Sequence, residues 1–151
     1  MLQFKPPAVS REVRSDLIAA IEGMPASRLL GLRVTGFDAA GFSVLEMPVV
    51  ASLTFDGKIV QGGIVGALAD YAGVSAAACT LPSGWIASTT AFEVHNLAPA
   101  RGDRLLAIGR SLQVGKSQAV SGAEVWAVEG GSATLVAVAT TTCRPFEFAT
   151  A

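Results

Sequence analysis

Residues 61–79 have the sequence QGGIVGALADYAGVSAAAC, in which Asp70 is the only formally charged residue. Small apolar residues recur along this segment and Pro82 follows it, so the pattern predicts a helix over 64–79. One face of that helix is composed mostly of Gly and Ala, which lets a sheet approach the helix backbone closely. We therefore expect this segment to be the buried centre of the fold.

The same apolar run has nearly the length of a transmembrane span. Asp70 falls near its middle, where a carboxylate is expensive in lipid, and the sequence contains no second candidate span. We therefore expect a helix inside a soluble fold and no membrane partner.

Strand patterns flank the helix on both sides. Before it, two segments rich in β-branched and aromatic residues, 32–37 and 42–50, are separated by a break short enough for a hairpin. After it, breaks containing Gly or Pro separate four longer segments, which we interpret as an antiparallel meander: 85–97, 104–114, 117–128 and 132–146. The chain therefore supplies six strands, with one long helix after the second.

A first helix, capped by Ser10 and carrying Leu17 and Ile21 on one face, is predicted ahead of the strands. The order of elements, with no internal repeat or dividing linker, fits a curved antiparallel β-sheet wrapped around one long central helix. That α+β architecture is the hotdog fold. We expect a helical segment at 1–25 and a hotdog domain at 26–148, forming a single domain overall.

Composition narrows the range of partners. The chain has 151 residues, enough for one domain with a sizeable core, and 51% of them are apolar while 15% are charged. Its 11 basic and 12 acidic residues give a net charge of −1, which argues against nucleic acid as a partner. So few charges leave apolar surface to be covered, and we expect a homo-oligomer.

The sequence argues against metal and disulfide chemistry. Cys79 and Cys143 lie far apart and form no metal-ligating cluster with His95, the only histidine. We expect buried reduced thiols, no metal site and no cofactor, which fits a cytoplasmic protein whose first residues lack a signal peptide. His95 stands in a strand pattern without a nucleophile motif, so a Ser-His-Asp or Cys-His arrangement is not expected.

Two features of the central helix point to catalysis. Gly62 and Gly63 at its start leave backbone N–H groups at the positive end of the helix dipole, where a developing oxyanion is stabilised; alternatively, they only permit a tight turn. Asp70 is a carboxylate with no Arg or Lys near it in sequence, and burying such a group is costly. It is either catalytic or a structural Asp satisfied by a hydroxyl such as that of Thr89 or Thr90.

The spacing of these groups limits how they cooperate. Gly62 and Asp70 are eight residues apart, which is about 12 Å along a helix. One acyl carbon cannot lie about 3 Å from both. If both act on one substrate, the glycine N–H must come from one chain and the carboxylate from a partner chain across a two-fold axis.

Three motifs carry a family resemblance: QGGIVGALAD at 61–70, FEVHNLAPARGD at 92–103, and a Gly115-Lys116 turn followed by LVAVAT at 135–140. Together they resemble the PaaI-like hotdog acyl-CoA thioesterases over about 26–146. The resemblance implies hydrolysis of an acyl-CoA thioester to the free acid and CoA, with CoA as part of the substrate. We expect a homodimer that pairs further into a dimer of dimers.

The resemblance also implies roles for single residues. Gly62 would donate its N–H to the thioester carbonyl, Asp70 would be the nucleophile or general base, and Thr89 would assist the water or the carboxylate, with Gln61 beside them. Lys116 and Arg144 would meet the phosphates of CoA. The expected substrate-binding set is Gly63, Phe55, Asn96, Gln113, Gly115, Lys116, Ser117 and Arg144.

Two residues depart from the family pattern. Gln61 replaces a histidine, so this position can form hydrogen bonds but cannot titrate. Phe55 stands where many members place an amide side chain near the attacking water, and Asp56 or Gln61 is the candidate substitute. We expect Phe55 and Tyr71 to bound an apolar pocket.

Two alternatives to hydrolysis stay open at this point. One is a hotdog dimer that holds acyl-CoA without turning it over, which the departures at Phe55 and Gln61 favour. The other is a hydratase or dehydratase on the same fold, which would pair a carboxylate with His95.

Overall fold

The computed structural model describes residues 4–148. A short 3-10 helix (Ala51–Leu53) and nine longer elements are found in this part of the chain: α1 (Ser15–Gly23), α2 (Pro25–Leu30), β1 (Arg33–Asp38), β2 (Phe42–Pro48), α3 (Gly62–Ala78), β3 (Trp85–Asn96), β4 (Arg104–Val114), β5 (Ala119–Glu129) and β6 (Ser132–Glu147). The predicted strands are confirmed with small shifts in their ends. The central helix begins two residues earlier than predicted, so that both glycines belong to it.

The strands form one antiparallel sheet in the order β1-β2-β4-β5-β6-β3. The hairpin β1–β2 and the run β4–β5–β6 are as predicted, but the four-strand meander is wrong. β3 pairs with β6, with Trp85 opposite Glu147 and Asn96 opposite Ala137, whereas β4 pairs with β2. Alternation along a strand identifies its two faces but not its neighbours, so the pattern could not place β3 at the far edge.

α3 lies against one face of the sheet, and small residues bring the two close together. A Cβ on Gly73 would lie 2.6 Å from Thr141 Oγ1, and one on Gly109 of β4 would overlap the Ala72 carbonyl. Ser43 donates a hydrogen bond of 2.7 Å to the same carbonyl. The predicted flat face of the helix is therefore confirmed. Within residues 4–148, no helix combines the length and apolar character that crossing a bilayer requires.

The first helix begins at Ser15 and not at Ser10 as predicted. Ser10 instead pairs with Phe37 in an isolated antiparallel bridge, and its hydroxyl accepts a hydrogen bond from the Glu12 N–H. A capping residue bonds to backbone N–H groups in loops as well as in helices, so this signal alone could not fix the start of the helix.

Arg14 fastens the start of α1 to the end of α3. Its guanidinium donates hydrogen bonds of 2.7–2.8 Å to the carbonyls of Ala78, Leu81 and Trp85, and it holds Asp16 through two further bonds. Its side chain is only 10% exposed. The contacts satisfy the carbonyls of the last residue of α3, of the connection to β3 and of the first residue of β3. α1 is therefore held firmly over the helix and the start of β3.

Candidate functional site

Asp70 and Thr89 form the centre of the candidate site. Asp70 lies in the middle of α3, and Thr89 Oγ1 on β3 lies 2.9 Å from both of its carboxylate oxygens. Thr90 is directed elsewhere, because its hydroxyl donates to the Thr142 carbonyl and a β-bulge separates Thr89 from Ala91. Within residues 4–148, no cationic side chain pairs with Asp70, so a neutral hydroxyl is its side-chain partner.

Burial sets the electrostatics of this carboxylate. Loss of solvent raises the pKa of Asp70, and the hydrogen bond from Thr89 opposes that rise without cancelling it. Cys143, opposite Thr89 on β6, is fully buried, and burial together with the nearby Asp70 charge raises the pKa of its thiol to about 11. Asp70 therefore has the character of a proton acceptor, while Cys143 stays protonated.

The start of α3 presents a free backbone donor. Gln61 is the N-cap residue, and its side-chain oxygen accepts a hydrogen bond of 2.7 Å from the Gly63 N–H. The Gln61 carbonyl accepts from Ile64 and Val65, whereas the Gly62 N–H has no acceptor within residues 4–148. Gln61 thus acts as a helix cap. It occupies the Gly63 N–H and leaves the Gly62 N–H unpaired within the described part of the chain.

Gly62, Gly66 and Asp70 form one ridge of α3 that runs along the edge strand β3. A Cβ on Gly62 would lie 3.2 Å from Asn96 Nδ2, and one on Gly66 would lie 3.3 Å from Val94 Cγ1. The helix and the strand therefore run in opposite directions. Gly62 and Asp70 stand at opposite ends of the ridge, about 12 Å apart along the axis. A single protomer does not bring them together.

A cavity of about 150 Å³ opens beside Asp70 and Thr89. Apart from these two residues its wall is mostly apolar and comes from α1, α3 and β3, with main contributions from Leu17, Ile21, Tyr71, Val74, Ile86 and Ala87. The predicted position of Tyr71 at a pocket is confirmed. The sequence predicts Leu17 and Ile21 on one face of the first helix, but it does not indicate that this face forms part of the pocket wall.

Phe55 and Asp56 do not join this group. Phe55 does not line the cavity, and its side chain is 67% exposed on the loop before α3. The Asp56 carboxylate accepts hydrogen bonds from the N–H groups of Lys58 and Ile59, which lower its pKa. Within one protomer the loop turns Phe55 away from this cavity, and its expected contact with the substrate stays a prediction. The Asp56 side chain therefore stabilises the turn at 56–59 and does not reach the cavity.

The residues expected to bind CoA fall into two groups. The register of β4, β5, β6 and β3 places the β4–β5 turn at the end of the sheet that carries Thr89. Arg144 is exposed and follows a buried residue on β6, so its side chain projects from the face of the sheet that is opposite α3. Asn96 and Gly63 lie at the other end, near Gly62. Gln113 lies at the end of β4, and the exposed turn that follows holds Gly115, Lys116 and Ser117.

His95 lies apart from the carboxylate. On β3, Val94 faces α3, so the next residue faces outward, where the His95 ring lies 2.8 Å from Glu93 and is 63% exposed. The expected surface histidine is confirmed, and a carboxylate–histidine pair for a hydratase is not formed with Asp70. No cluster of His, Cys, Asp or Glu suited to a metal ion occurs in the described part of the chain.

A curved antiparallel sheet around one long helix defines the hotdog fold, and here it carries a half-buried carboxylate that faces a hydroxyl. A family model described as the thioesterase superfamily matches residues 57–134, just over half of the chain. The chain belongs to the thioesterase superfamily. A search of curated proteins gives no significant match.

Solved structures place the chain within that superfamily. A thioesterase family protein from Silicibacter pomeroyi is 26% identical, with a TM-score of 0.80 over 90% of this chain and 97% of the other. The PaaI protein from the phenylacetic acid degradation operon of E. coli is 25% identical, with a TM-score of 0.76 over 93% and 98%. A putative thioesterase related to phenylacetic acid degradation from Ralstonia eutropha is 26% identical, with a TM-score of 0.73 over 87% and 98%. The chain is therefore a PaaI-like hotdog thioesterase.

Proposed function

We propose that this protein hydrolyses acyl-CoA thioesters to the free acid and CoA. Asp70 carries the proposal: it is a half-buried carboxylate with no cationic partner within residues 4–148, and Thr89 holds it beside an apolar cavity. A carboxylate that loses solvent without a cationic partner lowers the stability of the folded protein. Groups of this kind are typical of catalytic sites. The thioesterases whose structures resemble this one support the reaction class.

The chemistry needs one base and one oxyanion donor. Asp70 takes a proton from water as the water oxygen adds to the thioester carbonyl, or it attacks that carbon directly and forms an anhydride that water then cleaves. In both routes the carbonyl oxygen gains negative charge, which the Gly62 N–H stabilises at the helix N-terminus. Breaking the carbon–sulfur bond releases CoA as a thiolate, which takes up a proton.

The two groups come from different protomers. A second copy whose edge strand adds antiparallel to β3, around a two-fold axis opposite Gly66, brings Gly62 of one chain to the Asp70 carboxylate of its partner. Gly66 lies midway between Gly62 and Asp70 on the ridge, as a two-fold axis that exchanges them requires. The exposed side chains of Phe92 and Leu97, at 47% and 55%, give this edge the apolar surface that a partner would cover.

The exposed turn between β4 and β5 would hold the CoA moiety. Lys116 lies on that turn, and both it and Arg144 are exposed cations free of ion pairs within residues 4–148. They suit the phosphate groups of CoA. Asn96, beside Gly62, lies where it can contact the thioester end of the substrate.

A heterodimer of two inactive variants tests the proposal. Asp70→Asn removes the base, and Gly62→Pro removes the N–H donor. Proline is well tolerated at the first helical position, and the extended conformation of Gln61 (ψ 135°) suits a residue before proline. Each homodimer should be nearly inactive. A heterodimer isolated with two affinity tags contains one intact shared site of two, so it should regain about half of wild-type CoA release.

Gly62→Ala is the matched control for the proline variant. It keeps the N–H, and its Cβ meets the end of the Asn96 side chain, which can move aside. It should therefore retain most activity, and circular dichroism should show intact folds for all variants. A heterodimer as inactive as its parents would place the site within one chain. Wild-type protein that binds acyl-CoA but releases no CoA would instead identify a binding module, the alternative that Phe55 favours.

A further inference from the structure

The cavity beside Asp70 is closed at its far side by the N-terminal helix. Leu17 and Ile21 are one helical turn apart, so both side chains project from the same face of α1 into the lining. Opposite them stand Val74 and Ala78 on α3. The carboxylate therefore opens onto a space whose far wall is made by α1 and not by the sheet.

This wall is held in place on two sides. Arg14, just before α1, bonds to the carbonyls of Ala78, Leu81 and Trp85. The next helix, α2, is also tied to α3. The hydroxyl of fully buried Ser27 on α2 lies 3.1 Å from the hydroxyl of Tyr71, whose side chain lines the cavity. A wall anchored in this way cannot retreat easily from a longer ligand.

We propose that the acyl group of the substrate occupies this cavity and that Leu17 and Ile21 determine the longest acyl group accepted. The inference rests on the proposed function, because it places the thioester carbon next to Asp70. The rest of the acyl group then extends along α3 toward α1, between Val74 and Ile86. The phosphates of CoA stay outside.

The volume gives the size of the acyl group. An apolar cavity of about 150 Å³ in another protein holds a benzene-sized molecule, which has six carbon atoms. The cavity here has the same volume. The enzyme should therefore accept compact acyl groups with about six carbons beyond the carbonyl and reject longer chains by about tenfold or more per poorly fitting methylene.

A comparison of two isoleucines on α1 tests the inference. Ile21 and Ile18 are 4% and 3% exposed, so both are core residues, but only Ile21 lines the cavity. CoA release is measured with straight-chain thioesters from acetyl-CoA to dodecanoyl-CoA. Ile21→Ala should move the longest accepted chain up by about two or three carbons, because it removes three carbons from the far wall. Ile18→Ala should lower stability to a similar degree and leave the chain-length profile unchanged.

The milder pair Ile21→Val and Ile18→Val covers the case in which an alanine variant does not fold, since such changes usually cost about 0.5–1.5 kcal/mol. Identical profiles for the Ile21 and Ile18 variants, with an active wild type, would overturn this inference and leave the proposed function standing. A wild type that releases CoA from none of the thioesters would contradict the proposed function. In that case calorimetry is used to measure the affinities of Asp70→Asn for the same thioesters, with and without Ile21→Ala. An upper length limit that Ile21→Ala does not move would then overturn the inference.

Discussion

Thr89 Oγ1 lies 2.9 Å from both carboxylate oxygens of Asp70, across the space between α3 and the edge strand β3. This contact opposes the effect of burial on the pKa of Asp70. A hydroxyl stabilises the ionised carboxylate but leaves its charge in place, whereas an arginine would neutralise that charge. The carboxylate thus stays available as a base.

Replacing Thr89 with valine should move the pH profile of hydrolysis. Without the hydrogen bond, burial raises the pKa of Asp70 further, so the acidic limb of kcat/KM should shift to higher pH. At a pH where Asp70 is fully ionised, the loss of activity should be no more than about tenfold. Thr90→Val, the neighbouring control whose hydroxyl bonds to the Thr142 carbonyl, should leave the profile in place. An unshifted profile for Thr89→Val would show that Thr89 does not tune Asp70.

Asp70→Asn should lose activity and gain stability. General base catalysis contributes about 10²–10⁴-fold, so CoA release should fall by that range. The pKa of Asp70 is raised in the folded state, so the folded protein binds this proton more tightly than the unfolded chain, and stability is lost as pH rises through that pKa. Urea unfolding should therefore show the variant to be more stable at pH 7, with the gain vanishing in acid, where the carboxyl is neutral in both states. A variant less stable than wild type at pH 7 would contradict this account.

Thr141→Val should stabilise the fold or leave its stability unchanged. The Thr141 hydroxyl is buried against Gly73 and finds no hydrogen-bond partner among residues 4–148. Replacing an unsatisfied hydroxyl by a methyl group of similar shape removes a desolvation cost of about 1–3 kcal/mol. Ser121→Ala, at the position paired with Thr141 on β5, should behave alike, since its hydroxyl also lacks a partner in the part of the chain that the structure describes. A clear loss of stability in urea unfolding of Thr141→Val would mean that a bound water satisfies this hydroxyl.

Gly73→Ala should destabilise the protein by about 1–3 kcal/mol, because the new Cβ would lie 2.6 Å from Thr141 Oγ1. Combining it with Thr141→Ala should recover part of that loss, which a double-mutant cycle on the free energy of unfolding would measure. Strict additivity of the two changes would show that the helix shifts to avoid the contact.

Arg14→Lys should lower the free energy of unfolding by about 2–4 kcal/mol, although the charge is kept. The guanidinium serves three carbonyls and Asp16 at once, and a lysine ammonium cannot reproduce that planar fork. Arg11, which pairs with Glu22 and is 44% exposed, provides the control, and Arg11→Lys should cost less. Equal losses for the two variants, measured by urea unfolding, would mean that the carbonyl contacts of Arg14 contribute little.

The central helix and the first hairpin could be predicted from local signals: a Gly- and Ala-rich segment with Asp70 as its one charge, and a short break between strands. For Asp70 the residues alone left Thr89 and Thr90 open as hydroxyl partners, and the family resemblance pointed to Thr89. The place of β3 beside β6 could not be predicted in this way, because neighbours in a sheet are chosen by tertiary packing. The contribution of α1 to the cavity wall could not be predicted for a similar reason, since the sequence places Leu17 and Ile21 in a segment ahead of the hotdog domain.

Gln61 shows how a departure from a family pattern can be understood only in three dimensions. As a sequence change it suggested a weakened site, because an amide cannot titrate. In the structure its side-chain oxygen caps the Gly63 N–H, which orders the first turn of α3, while the Gly62 N–H stays unpaired within the described residues.

The helix that closes the cavity precedes the sheet in the chain, while the ridge of Gly62, Gly66 and Asp70 comes later. Substitutions in α1 can therefore reshape the far wall without disturbing the carboxylate or its hydroxyl. The preference for one acyl group over another would then change independently of the catalytic groups. Related enzymes that differ in α1 would accept different acyl groups while they catalyse the same reaction.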